Sequence, residues 1–433
     1  MSETTPPPLP SDDEIQALLE ERIDAYRLSV GISVGITDGG HRRFISYGSC
    51  RPATRTPVGA DTIFEIGSVT KLFTVLLLAD VAQRGELSID DPVARHLPSH
   101  VRAPMRGDQV MTLAHLACHT SGLPRIPHDI DAVNSANPYA GYTADRLYDF
   151  LGSCELLWPS GQREEYSNLG MGLLGHVLGL RAGTDYETLV KARICAPLGL
   201  TNTSITFSPA MEQALATGHD DSLDPVPNWD LGVLAGAGGL RSNVFDLLSF
   251  LETFGAPSSP LAAAIELFSA PIESGGLGRL RPTPDGYTLI QHEGHTGGYN
   301  AYVEYVPAWR RGIVVLANGY PACASALGRH VMDQRYGDLW FRREAEVNPD
   351  QLNRLLGTYR LRPHFALNII RDGDRLFVQA TGQRRIRVFP VSPWHYFCKG
   401  VGAQLTFEPG PDGRAGRVIL HQNSRDQIAV RID

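Results

Sequence analysis

Three short runs hold side chains that can do chemistry: Ser68-Val-Thr-Lys71, Tyr166-Ser-Asn168 and Gln291-His-Glu-Gly-His-Thr-Gly-Gly298. In the first, Ser68 stands where a strand-like run ending at Gly67 gives way to an apolar helix. A helix start presents unbonded N–H groups and the positive end of the helix dipole, which stabilise a forming alkoxide or oxyanion. Lys71 follows three residues later and shares a helix face with the serine. A lysine in a dry pocket can lose its proton and act as a base; an arginine cannot. Lysine occurs only at Lys71, Lys191 and Lys399 among 39 Lys and Arg residues, so one kept here points to work that arginine cannot do. Alone, the spacing also describes a capping serine beside a solvated lysine. Tyr166, at a loop–helix junction, offers a phenol whose pKa falls beside a cation, a candidate general base; a half-buried core tyrosine is the bland alternative. Asn168 adds an amide for holding a substrate carbonyl. In the third run, glycines on a strand let a substrate backbone approach closely.

The elements that must position these runs follow from periodicity and turn signals. Ser11-Asp-Asp-Glu14 has capping-box spacing, and Ile15, Leu18, Leu19 and Ile23 continue it with a helical period. Residues 30–37 and 43–47 read as strands joined at Asp38-Gly39-Gly40. A helix runs from Ser68 to about Arg84. Mostly helices and long loops fill 89–254, and strands return at 288–291, 302–306 and 312–317. Strands at both ends of a helical middle predict one sheet assembled from distant segments, with a helical insertion. The domain spans 11–345, after a disordered Pro-rich lead at 1–10. Beyond Asn348-Pro349-Asp350, residues 350–433 carry closely spaced strands, with a hairpin signal around Asp372-Gly373, and predict a small antiparallel β-barrel. Tyr359, Trp394, Tyr396, Arg384 and Arg385 either fill that barrel or offer it an aromatic and basic surface beside the cleft.

Taken together and in order, Phe64-Glu-Ile-Gly-Ser-Val-Thr-Lys-Leu-Phe-Thr74, the Tyr-Ser-Asn triplet, Gly85-Glu-Leu-Ser-Ile-Asp-Asp-Pro92, His119-Thr-Ser-Gly-Leu-Pro124, Pro197-Leu-Gly-Leu200 and Gly312-Ile-Val-Val-Leu-Ala-Asn318 resemble class C β-lactamases and related serine hydrolases of the penicillin-binding-protein type. The resemblance covers roughly Ile15 to Tyr320. It implies an α/β (α+β) fold with the site between a mixed sheet and a helical domain. It also implies Ser68 as acyl-accepting nucleophile, Lys71 and Tyr166 as its proton partners and Asn168 as a substrate-orienting residue. In the family the third motif is K-T-G, or H-x-G in the esterase and D-aminopeptidase branches. Two registers compete, His292-Glu-Gly294 and His295-Thr-Gly297; the tail Thr296-Gly-Gly-Tyr299 favours the first. His292 then replaces the motif lysine, Glu293 and Gly294 complete the motif, and the backbone N–H groups of His295 and Ser68 form the oxyanion hole. Residues from Leu355-Leu-Gly-Thr-Tyr359 onward are similar to lipocalin-like barrels appended to some members.

A carboxylate at 293 repels a substrate carboxylate by about 4 kcal/mol for unit charges 4 Å apart at an effective dielectric near 20. Weak or no β-lactamase activity is therefore expected, and hydrolysis of carboxylic esters or small amides is favoured. A D-aminopeptidase or a peptide thioesterase or cyclase is the alternative within the chemistry. A non-catalytic binding protein working through its barrel is the alternative outside it. The formal charge of −8 offers no basic footprint for nucleic acid or anionic membrane. The longest apolar stretch, Val75 to Ala79, is far from the ~20 residues of a membrane span. Six cysteines without a C-x-x-C pair, and no leader-like start, predict a cytoplasmic protein. The resemblance implies a small-molecule or peptide acyl substrate, and no metal or cofactor is expected. Gly31-Ile-Ser-Val-Gly35 matches G-x-S-x-G, but strand character continues past Ser33, so no nucleophile elbow forms there. His119 reads as a structural histidine bonded within its loop.

Overall fold

The computed structural model describes residues 6–130, 136–271, 277–278, 280–283, 286–321, 323–335, 341–383, 385–422 and 425–433. Helix α1 (Asp12–Glu20) opens on the expected capping box: Ser11 Oγ accepts the Glu14 N–H and the Glu14 carboxylate accepts the Ser11 N–H. Strands β1 (Gly31–Asp38), β2 (His41–Arg51), β3 (Thr56–Pro57), β4 (Arg281–Pro282), β5 (Thr288–His295), β6 (Asn300–Val306) and β7 (Arg311–Ala317) form one antiparallel sheet in the order β3-β2-β1-β7-β6-β5-β4. The late strands thus pair with β1, Val34 facing Val315. Alternate residues of β7 serve two cores. Ile313 and Val315 pack with Ile15 and Leu19 of α1, while Val314 and Leu316 join the larger core of the helical side. Ser33 is a strand residue bonded to Ser46 Oγ at 3.0 Å, as its sequence context predicts.

The helical side is built around α2 (Thr70–Gln83), which is buried along almost its whole length, and α3 (Asn168–Ala182). Within the stretch expected as the helical insertion, α4 (Val244–Glu252) instead lies on the sheet: a Cβ on Gly35 of β1 would meet Leu248 and Val244 at only 3.0 and 3.2 Å. The helical layer therefore includes α2, ahead of residue 89, and gives up its last helix to the sheet. On the other face, α5 (Ala324–Met332) packs beside α1.

The lead is not loose over the part described. Leu9 packs on the sheet core, Pro10 is buried, and the carbonyls of Pro7 and Pro10 accept from Arg311 and Arg43. Prolines lack the N–H that would compete for a partner, yet keep an acceptor. Residues 1–5 lie outside the described residues.

Eight strands, from Gly357–Arg362 to Arg425–Arg431, close a barrel through the pairing of Tyr359 with Arg431. The hairpin at Asp372-Gly373 forms with Ile369 opposite Val378. Tyr359 and Tyr396 are core residues of this barrel and present no surface, Trp394 is half-buried against that core, Arg385 is exposed and Arg384 lies outside the described residues. Among the described residues, two side-chain ion pairs help hold the barrel to the main domain, beside the bond of the Ala345 N–H to the Pro390 carbonyl. Lys399, its side chain 1% exposed, donates to Glu344 at 2.5 Å and to the Arg27 carbonyl at 2.9 Å. Arg375 pairs with Asp224 at the tip of a small hairpin formed by Gly218–His219 and Pro225–Val226.

Candidate active site

Sequence-distant backbone converges beneath Ser68. Phe64 and Glu65 pair with Ser242 and Arg241, and a buried Glu65–Arg241 ion pair at 3.0 Å locks that crossing. Gly67 then takes φ +48°, a region that favours glycine, and its Cβ position is only 2.7 Å from the His295 amide. Ser68 follows in a single 3₁₀ turn before α2. From across the cleft, Gly294 approaches so closely that a Cβ would lie 1.9 Å from the Ile66 carbonyl and 3.2 Å from the Ser68 amide. The Thr296 N–H bonds the Tyr299 carbonyl. By the alternation of an antiparallel ladder, the His295 N–H points away from β6, toward the turn that carries Ser68.

Ser68 Oγ accepts from Lys71 Nζ at 2.9 Å and from the Tyr166 hydroxyl at 2.8 Å. Lys71 also donates to the Ala237 carbonyl at 2.5 Å. The residue is 2% exposed, and burial, helped by the charge of Arg125, holds its ammonium well below the ordinary lysine range. Ala237 is placed by glycine-on-glycine packing: Gly175 of α3 and Gly236 approach so closely that neither has room for a Cβ, and Thr74 Oγ1 donates to the Gly236 carbonyl at 2.7 Å. Tyr166 is held by the loop that contains His119. The Glu165 N–H donates to the His119 carbonyl, the Ser167 N–H to His119 Nδ1 at 3.1 Å, and the Ser167 hydroxyl to the Pro124 carbonyl. The His119 ring thus bonds across to the Tyr166 segment rather than only within its own loop, and it packs 4.6 Å from the ring of Tyr166.

Asn168 starts α3, capped by Ser167. Its Nδ2 donates to Tyr139 at 3.3 Å, while its buried Oδ1 has no partner. In this arrangement the open atom is an acceptor, suited to a substrate N–H; holding a carbonyl, the expected role, requires the amide turned over. Thr296 Oγ1 is likewise buried without a partner. His292 donates from Nδ1 to the Glu293 carbonyl at 2.8 Å and lines the cavity. Glu293 is ion-paired with Arg329 of α5 at 2.5 Å. Its charge is matched, which corrects the expectation of an unscreened repulsion. The His295 ring touches Asn300, whose Nδ2 also donates to the Gly294 carbonyl.

Ser68, Lys71, Tyr166, Asn168, His292, Glu293 and His295 all line one cavity of about 1070 Å³. Val226 and Asp220 of the small hairpin form part of its rim, with Trp229 and Tyr320. Three lining residues carried no sequence signal. Arg125 stacks 5.0 Å over the Tyr166 ring, Trp229 closes against Gly297, and Arg329 sits on an element whose position against β5 only the fold sets. No group of three or more His, Cys, Asp or Glu side chains capable of holding a metal occurs among the described residues.

The family model described as beta-lactamase matches residues 15–334. The chain belongs to the beta-lactamase family. A second model, a domain of unknown function, matches 342–431 of this family member and so covers its barrel. A beta-lactamase of Pseudomonas fluorescens is 26% identical over 365 residues, covering 74% of this chain and 96% of its own. The D-alanyl-D-alanine-carboxypeptidase/endopeptidase AmpH of Escherichia coli (strain K12) is 28% identical over 226 residues, 52% of this chain and 57% of its own. The octameric penicillin-binding protein homologue from Pyrococcus abyssi superposes with a TM-score of 0.66 at 24% identity, covering 96% of this chain and 99% of that one. That likeness is one of fold, and it extends through the barrel of this beta-lactamase family member. The relatives place it among serine β-lactamase and D-alanyl-D-alanine-carboxypeptidase-like hydrolases.

Proposed function

We propose that this protein hydrolyses carboxylic esters or small amides through an acyl-enzyme on Ser68, with weak or no β-lactamase activity. The observation that carries the reading is the hydroxyl of Ser68 held between Lys71 Nζ and the Tyr166 hydroxyl at 2.9 and 2.8 Å. A lysine whose pKa burial lowers can take the Ser68 proton as Oγ attacks the acyl carbonyl. Tyr166 passes that proton to the leaving atom. The carbonyl oxygen gathers charge between the Ser68 and His295 N–H groups. Water then repeats the sequence in reverse roles and returns the serine. His292, in place of a lysine, leaves the third motif with less positive charge for a β-lactam carboxylate, and Arg329 is engaged by Glu293. Six cysteines, none of them in a disulfide, support a reducing compartment; no helix among the described residues is long and apolar enough to cross a membrane.

The cavity of about 1070 Å³ favours a second reading, since it exceeds what a small ester fills. In that reading the same serine serves a D-aminopeptidase or a peptide thioesterase or cyclase. Intact mass after a fluorophosphonate probe tests both readings, and a panel of p-nitrophenyl esters against D- and L-aminoacyl p-nitroanilides separates them. One label, lost in Ser68→Ala with the fold retained, is expected. Labelling that survives in Ser68→Ala, or that falls on Ser33, overturns the assignment.

A further inference from the structure

Arg125 stands on the cavity wall with its guanidinium 5.0 Å above the centre of the Tyr166 ring, and Lys71 Nζ lies 4.9 Å from the same centre. No carboxylate lies within ion-pair distance of it among the described residues, and no hydrogen bond engages its guanidinium. Its backbone carbonyl, by contrast, accepts the N–H groups of Asn168 and Leu169, which ties its position to the segment that carries Tyr166. Other charged or titratable groups line the cavity around this trio: the Tyr139 phenol, pushed up by burial, accepts from Asn168 Nδ2. From α2, Lys71 is desolvated. From the loop, the Nδ1 of His119 is taken by the Ser167 N–H. On the segment of Tyr166 itself, Glu164 and Glu165 are exposed. On β5, Glu293 is matched by Arg329, His292 donates to a carbonyl and the His295 ring contacts Asn300. On the hairpin, Asp220 accepts the N–H groups of Ser222 and Asp224. Among these groups, Arg125 is the cation that faces the Tyr166 ring, with no carboxylate in ion-pair reach among the described residues.

We propose that Arg125 is a positioning residue for proton transfer: its unpaired guanidinium, stacked on Tyr166, keeps the hydrogen-bonded trio of Ser68, Lys71 and Tyr166 in its proton-poor, reactive form toward lower pH. The proposal rests on the Ser68 reading above. Its physical basis is that a fixed cation penalises every protonation of its neighbours, so the trio, titrating as one coupled system, loses its proton earlier. A buried lysine whose ammonium is disfavoured serves as a base more readily than as a lasting positive neighbour for the phenol. Arginine suits the second task, since it never titrates and stacks on aromatic faces.

The test uses the full chain and its Arg125→Gln and Arg125→Lys variants. The rate of Ser68 labelling by an uncharged fluorophosphonate, and kcat/KM for p-nitrophenyl acetate, are followed against pH at low and high salt. In Arg125→Gln the acidic limb of both profiles is expected to move up by about one pH unit, a roughly tenfold slower reaction below it, with the plateau kept within about threefold. Arg125→Lys keeps a charge and restores most of the shift. Salt moves the wild-type limb the same way and leaves that of Arg125→Gln in place, because this group is exposed enough to be screened. A plateau that falls while the limb stays put shows a merely structural role and overturns the proposal, as does a profile identical to wild type. Failure of the wild type to label at Ser68 instead overturns the functional reading on which the proposal stands.

Discussion

Replacing Gly294 by alanine tests the site at its tightest point. The new methyl would lie 1.9 Å from the Ile66 carbonyl oxygen, whereas real Cβ contacts essentially never fall below 3.0 Å. Both neighbours are backbone, so no side chain can swing aside. Strand β5 and the turn bearing Ser68 must part by about 1.1 Å. Overpacking of this kind costs roughly 1–3 kcal/mol, which a domain with so extensive a core survives. The effect on reaction is larger, because the His295 N–H moves with β5 while the Ser68 N–H stays. Loss of one oxyanion donor lowers kcat by ~10²–10³. The assay is kcat and KM for p-nitrophenyl acetate beside thermal melting, with Gly152→Ala as control, since nothing lies within 4 Å of a Cβ there. A fall in kcat at nearly constant KM, in a protein that still melts cooperatively, is expected. A folded Gly294→Ala with kcat within about threefold of wild type would refute the proposed oxyanion site.

Lys71→Arg should lose ~10² or more in kcat/KM, nearly as much as Lys71→Ala, because arginine cannot accept a proton; near-normal activity in Lys71→Arg would leave charge as the sole requirement. Burial lowers the Lys71 pKa in the folded state, so between that value and the ordinary 10.5 the unfolded chain binds more protons. Stability then rises with pH across that window, and urea midpoints should climb more steeply with pH in the wild type than in Lys71→Met; parallel curves contradict this. Glu293→Thr releases Arg329 from its 2.5 Å pair and should raise kcat/KM for nitrocefin by about tenfold, where efficient turnover by the wild type would remove the premise. Arg375→Asp and Asp224→Arg should each raise KM for bulky esters a few-fold without changing Ser68 labelling, and the double variant should restore it; additive losses would show that the pair does not act as a unit.

Much of this molecule was legible in its sequence where local rules and global fold agree. The capping box at Ser11, the β1–β2 turn and the Asp372-Gly373 hairpin are short-range features whose geometry the residues themselves dictate. Ser68, Lys71 and Tyr166 could be singled out because each sits at a helix start or one turn beyond it. Less could be read where side chains meet only through tertiary packing. The amphipathic pattern of α4 is the same whether it faces helices or a sheet, so nothing local assigned it to β1. Arg125 and Arg329 look like any surface arginine among 39 basic residues until the fold aims them into one cavity. The charge argument about Glu293 failed for that reason: its partner lies 36 residues away on α5.

The small hairpin at 218–226 has a consequence for how the chain divides. By descent it splits near residue 340, where one family model ends and the next begins. Mechanically the seam lies elsewhere. The hairpin belongs to the first segment, yet its tip is anchored to the second by Arg375, and its base rests on Gly298, where the His219 N–H meets the Gly298 carbonyl. The piece of wall that holds Val226 and Asp220 at the rim is thus shared property of two modules. Recombining this hydrolase segment with a different C-terminal module would transplant the nucleophile intact and the rim incomplete. Exchange of substrate preference between relatives should therefore follow the hairpin and its anchor as one heritable unit, across the boundary that their sequences draw.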